Sequence, residues 1–196
     1  RDAAFAALKN GAVAVSPTSG FHHAHWKFAS GFCTFNGLMI AARCLLVSGK
    51  VKRVGIVDCD FHYGNGTDDI IAKLKLTHEI KHFTQGESFN TRSRGKVDDF
   101  FEALEEHLHS MADCDVVLYQ AGADPHMDDP LGGFLTTSQL RDRDLLVFKK
   151  LRQYGVPVAW NLAGGYQQLA STGETDWAAL TEIHSNTLKA CWKVFG

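Results

Sequence analysis

Residues 57–67, Val57-Asp58-Cys59-Asp60-Phe61-His62-Tyr63-Gly64-Asn65-Gly66-Thr67 ("VDCDFHYGNGT"), follow an apolar run and then change character abruptly. The run "RVGIVD" (53–58) reads as a buried β-strand. It ends in two carboxylates, an imidazole and three residues suited to a tight turn at Gly64-Asn65-Gly66. Such groups are costly to bury. Either they form a solvated strand end, or something at that end satisfies them. Asp58, Asp60 and His62 are spaced by two, so on an extended backbone they point to one side. An Asp-x-His pattern then offers an oxygen and a nitrogen to one ion. A catalytic zinc site commonly takes three protein ligands and keeps a position open. The third ligand has to come from elsewhere. Asp124, just past another strand and after Gly122, is the candidate.

The rest of the chain repeats the alternation of strand and helix. Helical patterns cover 2–9, 36–48, from Thr67 to about 75, 97–112, 138–154 and 177–193. The 97–112 pattern is the plainest, with Phe100, Phe101, Leu104, Leu108 and Met111 at helical spacing. Strands are expected at 12–16, 53–58, 79–84, 115–121 and 156–162. Apolar strands separated by helices predict an α/β fold, a parallel sheet covered on both faces. No repeat, low-complexity tract or linker divides the 196 residues, so one domain is expected over 1–196.

In such sheets ligands sit at the carboxyl ends of the strands. Four strand ends here run into polar, Gly-rich segments: "PTSGFHHA" (17–24), "DCDFHYGNGT" (58–67), "GADPHMDDP" (122–130) and "AGGYQQ" (163–168). His22 and His23 border one site only if the backbone turns, which Gly20 permits; otherwise they are two loop histidines. A neutral imidazole beside an activated water is a natural general base. Asp58 and Asn65 are candidate partners that fix the two rings. Tyr166, after Gly164-Gly165, can donate a hydrogen bond to a carbonyl oxygen as charge develops on it; the plain alternative is a structural tyrosine.

Composition excludes several classes. The net charge of −2, with no basic cluster, gives no case for nucleic acid. No run of about 18 apolar residues suggests a membrane span, and the N-terminal stretch reads as an amphipathic helix rather than a secretory signal. Five cysteines without a C-x-x-C pair argue against a disulfide framework or a cysteine zinc knuckle, and for buried thiols in a reducing, cytoplasmic setting.

Five segments, in order, resemble the histone deacetylase superfamily, which includes acetylpolyamine amidohydrolases: "GFHHA" (20–24), "SGFCTFN" (30–36), "VDCDFHYGNGT" (57–67), "GADPHMDDPLGGF" (122–134) and "AGGY" (163–166). The resemblance implies the arginase/deacetylase three-layer α/β sandwich and a zinc-dependent amidohydrolase. It implies Asp60, His62 and Asp124 as zinc ligands, His23 as general base, and His22 as its electrostatic or proton-donating partner. Asp58 matches the partner of His22, and Asn65 the partner of His23. Tyr166 matches the residue that polarises the substrate carbonyl. Gly31 and Phe32 match the wall of a narrow acyl-lysine tunnel, and Phe89, in "GESFNTRSRG" (86–95), is a candidate for the opposite wall. Asp58 and the backbone carbonyls around Asp60 and His62 match a site for a monovalent cation, potassium or sodium.

The implied substrate is an acetylated amine: a protein lysine, a polyamine or a small metabolite. Glu87, Asp128 and Asp129 are candidate rim acids for a cationic polyamine. Family domains carry more chain before the histidine pair. The expectation is therefore a domain incomplete on its N-terminal side, associating with another copy or with the missing segment. Two other functions compete. One is an arginase-like hydrolase with two manganese ions; it wants further Asp ligands where Gly64 and His126 stand. The other is a non-catalytic, deacetylase-like binding module.

Overall fold

The computed structural model describes residues 1–92 and 96–196; the last three residues of the 86–95 segment lie outside them. The elements run α1 (Asp2–Asn10), β1 (Val13–Ser16), α2 (Gly37–Val47), β2 (Val54–Asp58), α3 (Asn65–Leu74), β3 (Ile80–Thr84), α4 (Gln85–Ser88), α5 (Val97–Ser110), β4 (Val116–Gly122), α6 (Thr137–Tyr154), β5 (Val158–Ala163) and α7 (Trp177–Phe195). The five strands form one sheet in the order β1-β5-β4-β2-β3, and every pairing is parallel.

Side chains alternate across each strand, and this alternation builds the layers. Val54, Ile56, Ile80, Val116, Leu118 and Ala159 face one way, onto α1, α2 and α3. Val57, Phe83, Val117, Tyr119, Val158 and Trp160 face the other way, onto α5, α6 and α7. The result is the expected three-layer sandwich. β2 and β4 are buried along their whole length, which is why they read as continuous apolar runs.

Helix ends follow local chemistry. Asn36 caps α2 by accepting from the Met39 N–H at 3.0 Å. Thr136 and Gln139 form a reciprocal capping box at the start of α6. Asp176 caps α7 by accepting from the Ala179 N–H at 3.0 Å. The short α4 carries no sequence signal of its own.

The connections place the site. β2 continues into α3 on one face and then β3; β4 continues into α6 on the opposite face and then β5. The chain therefore leaves the carboxyl ends of these neighbouring strands in opposite directions. That opens a crevice, the switch point where parallel sheets bind ligands. Among the described residues, no helix is long and apolar enough to cross a membrane. All five cysteines are free.

Candidate active site

Asp60 and His62 follow β2, and Asp124 follows β4, so the crevice lies between them. One ligand atom from each lies within 4.8 Å of the other two. His62 Nδ1 sits 2.8 Å from Asp124 Oδ2 and 3.2 Å from Asp60 Oδ1.

The extended geometry expected for residues 58–62 is corrected. The strand stops at Asp58, and residues 60–62 bend. Asp58 Oδ1 accepts from the Asp60 N–H at 3.1 Å, and Asp60 Oδ1 accepts from the His62 N–H at 2.9 Å. Each carboxylate thus closes a turn two residues ahead, as Asp side chains do. These bonds meet part of the burial cost of the carboxylates. The expected tight turn at Gly64-Asn65-Gly66 is likewise replaced: Gly64 caps α3, and Asn65 is its first residue.

His22 and His23 enter the same space with ring centroids 4.1 Å apart. His22 Nδ1 lies 2.6 Å from Asp58 Oδ2, and His23 Nδ1 lies 2.8 Å from Asn65 Oδ1. Both acceptors are oxygens, so each ring donates from Nδ1 and leaves Nε2 for other work. Gln120, on β4, donates from Nε2 to Asp58 Oδ1 at 2.9 Å and completes the setting of Asp58.

The partners drive the two rings apart in acidity. Burial alone would lower His22, but the charge of Asp58 and its hydrogen bond prevail and push it up to about 9. His23 is lowered, by burial and then by the positive charge of His22. Near neutral pH, His22 is charged and His23 is neutral.

Tyr166 lines a cavity of about 280 Å³ with His22, His23, Gly31, Phe32, Asp60 and His62. Burial, then the charges of Asp60 and Asp124, push its phenol up to about 12, so it keeps its proton. Phe32 is 87 % exposed at the mouth, with its ring centroid 6.2 Å from that of Tyr166. Gly164 packs on the carboxylate of Asp124; a Cβ there would lie 2.5 Å from Cγ.

Phe89 is not at this cavity. It is buried against Phe100, edge to face at 5.5 Å, because the turn of α4 directs its ring into the core. Asp129 is not a rim acid either. It is buried, its Oδ2 accepts from the Tyr166 N–H at 2.6 Å, and its Oδ1 accepts from the Leu131 N–H at 2.9 Å. Asp128 and Glu87 are exposed. Asp129 and Gln120 carry no sequence signal for these tasks, since neither belongs to a recognisable spacing with the residue it holds.

The donor set suits a divalent metal. Two carboxylates, 4 % and 0 % exposed, share one imidazole. Burial and the charge of Asp60 push Asp124 well above the usual carboxylate range, which marks a missing positive charge. Hydrogen bonds that His62 donates to Asp124 and Asp60 outweigh burial and raise its pKa to about 10.

Fold and site together define a parallel α/β protein with an acid–imidazole group, able to hold a metal, at the switch point of its sheet. Known proteins are similar to this chain in sequence and in fold. Residues 2–89 match the model of the histone deacetylase domain. An uncharacterised protein of Picosynechococcus sp. is 34% identical over 174 residues, covering 82% of this chain and 58% of that protein. Histone deacetylase 2 of Arabidopsis thaliana is 25% identical over 172 residues, covering 79% of this chain and 44% of that protein. An acetylpolyamine aminohydrolase structure from Burkholderia pseudomallei superposes with a TM-score of 0.70 at 19% identity, covering 99% of this chain and 59% of that one. The likeness of fold extends to a deacetylase homologue from Aquifex aeolicus, with a TM-score of 0.68 at 20% identity, covering 96% of this chain and 54% of that one. Residues 2–89 thus belong to a histone deacetylase domain, and the chain spans between 44% and 59% of the relatives named.

Proposed function

We propose that the chain is a zinc-dependent amidohydrolase that releases acetate from an acetylated amine: a protein lysine, a polyamine or a small metabolite. The observation that carries this reading is the meeting of three potential ligands, Asp60, His62 and Asp124, with two oppositely tuned imidazoles at one cavity.

Zinc held by Asp60, His62 and Asp124 would supply Lewis acidity to the attacking water and the substrate carbonyl. The rest falls to the chain. His23, neutral and with Nδ1–H donated to Asn65, takes the water proton at Nε2. It then returns that proton to the leaving amine. His22 keeps its charge through Asp58, which holds the basicity of His23 down and favours the return of the proton. Tyr166 donates its O–H to the carbonyl oxygen as negative charge builds there. Gly31 and Phe32 form one wall of the channel by which the acylated chain enters. A potassium or sodium ion beside Asp58 belongs to the same proposal. The two-manganese alternative gains no support from His126, whose Nε2 is paired with the Thr137 hydroxyl at 2.9 Å.

The test is metal analysis together with a fluorogenic acetyl-lysine assay. One zinc per chain and turnover are expected, both lost in Asp124→Ala. Full activity in Asp124→Ala would overturn the assignment.

A further inference from the structure

Arg143 lies on α6 and is wholly buried beneath the crevice. Its Nη1 donates to two backbone carbonyls, Cys59 O at 3.2 Å and Gly122 O at 2.8 Å. Cys59 directly precedes Asp60, and Gly122 stands two residues before Asp124. The β2–β4 register ends at Asp58–Gln120, followed by a single bond from Cys59 N–H to Gln120 O at 3.0 Å. Beyond that bond the paired register stops although the two backbones stay close, since a Cβ on Gly122 would lie 2.6 Å from Asp60 Cα. The guanidinium therefore bridges them where the ladder stops.

The fork is itself fixed. Nε and Nη2 donate to Asp144 Oδ1 at 2.9 and 2.8 Å. The Tyr119 hydroxyl also donates to Asp144 Oδ1, and the Thr187 hydroxyl donates to Oδ2 at 2.6 Å. Asp144 is thus tied to β4 and α7 as well as to Arg143. An apolar residue would fill this volume without the desolvation cost of an ion pair. What it could not do is hold two carbonyls at a set distance with one planar group.

We infer that Arg143 is a positioning residue: it fixes the separation of the strand ends that carry Asp60 and Asp124, and so the bite of the metal group. This rests on the zinc reading above. The test is zinc affinity, measured by competition with a chromophoric chelator on the full chain, beside thermal melting. Arg143→Lys keeps the charge beside Asp144 but loses the fork. Leu104→Ala, in the core on α5, is the control for stability alone. Arg143→Lys should bind zinc roughly 10-fold or more weakly, as lost supports of a ligand do. Leu104→Ala should lower the melting temperature and leave zinc affinity unchanged. Unchanged zinc affinity in Arg143→Lys, or an equal loss in Leu104→Ala, overturns the inference while the zinc reading stands. No zinc binding by the unaltered chain overturns both, and is seen before any variant is made.

Discussion

Gly31 lies directly against the ring of His23: a Cβ at position 31 would sit 2.7 Å from the imidazole Cγ. Gly31 also has φ of 51°, a conformation that costs glycine nothing. The resemblance assigns this glycine to a substrate channel. The contact gives it a second task, which is to let the backbone seat the proposed general base.

Gly31→Ala should therefore push His23 off Asn65 while the metal group, on other elements, is untouched. A displacement of this kind costs on the order of 100-fold in kcat/KM. Steady-state kinetics with zinc titration checks it. Unaltered kcat/KM would show that the contact does not position His23.

Asn65 is neutral, and this matters for the pH profile. His23 is lowered by burial and by the charge of His22, so it stays a free base as the pH falls below neutrality. Activity is lost only when the pH drops through its pKa. Asn65→Asp would place a carboxylate on Nδ1, favour the imidazolium and raise that pKa, by about one pH unit or more. The acidic limb of the kcat/KM profile should move upward by the same amount. A limb that stays in place would mean that another group sets it.

The two histidine partners also show what a sequence discloses. The strands and the crevice were legible because β2 and β4 are buried on both faces and so read as unbroken apolar runs. The gathering of His22, Asp60, Asp124 and Tyr166 was legible because parallel strands bring all their carboxyl ends to one edge. The bends after Asp58 were not, since a carboxylate closing a turn has the same spacing as one pointing from a strand. Phe89 was placed at the cavity only by order along the chain; its ring turns into the core through α4. Arg143 and Asp144 sit in "RDRD" (141–144), which reads as a solvated helix face. Helical phase puts Arg141 and Asp142 outside and buries the next two.

Asp129 grips the loop of Tyr166 through its backbone, whereas Tyr166 itself is proposed to act through its hydroxyl. The two substitutions should differ accordingly. Tyr166→Phe removes one donor aimed at developing charge and should lower kcat by about 100- to 1,000-fold with zinc affinity unchanged. Asp129→Ala frees the Tyr166 and Leu131 amides together and should lower kcat and loosen the loop, again without loss of zinc. Hydrogen exchange at residues 129–131 and 164–166 separates them: faster in Asp129→Ala, unchanged in Tyr166→Phe. Equal exchange in both variants would remove Asp129 from its proposed task.

Loading the metal should release protons. In the metal-free chain His62 is held near 10 by Asp124 and Asp60, so at pH 7 its Nδ1 carries a proton directed at both carboxylates. An imidazole must be deprotonated to be a ligand. Zinc binding at pH 7 is then expected to expel about one proton or more per chain, and affinity should climb with pH as far as the pKa of His62. Titration calorimetry in two buffers of different ionisation enthalpy gives the number directly. An observed heat independent of the buffer would mean that zinc enters without displacing a proton, and so does not bind at His62 in the manner proposed.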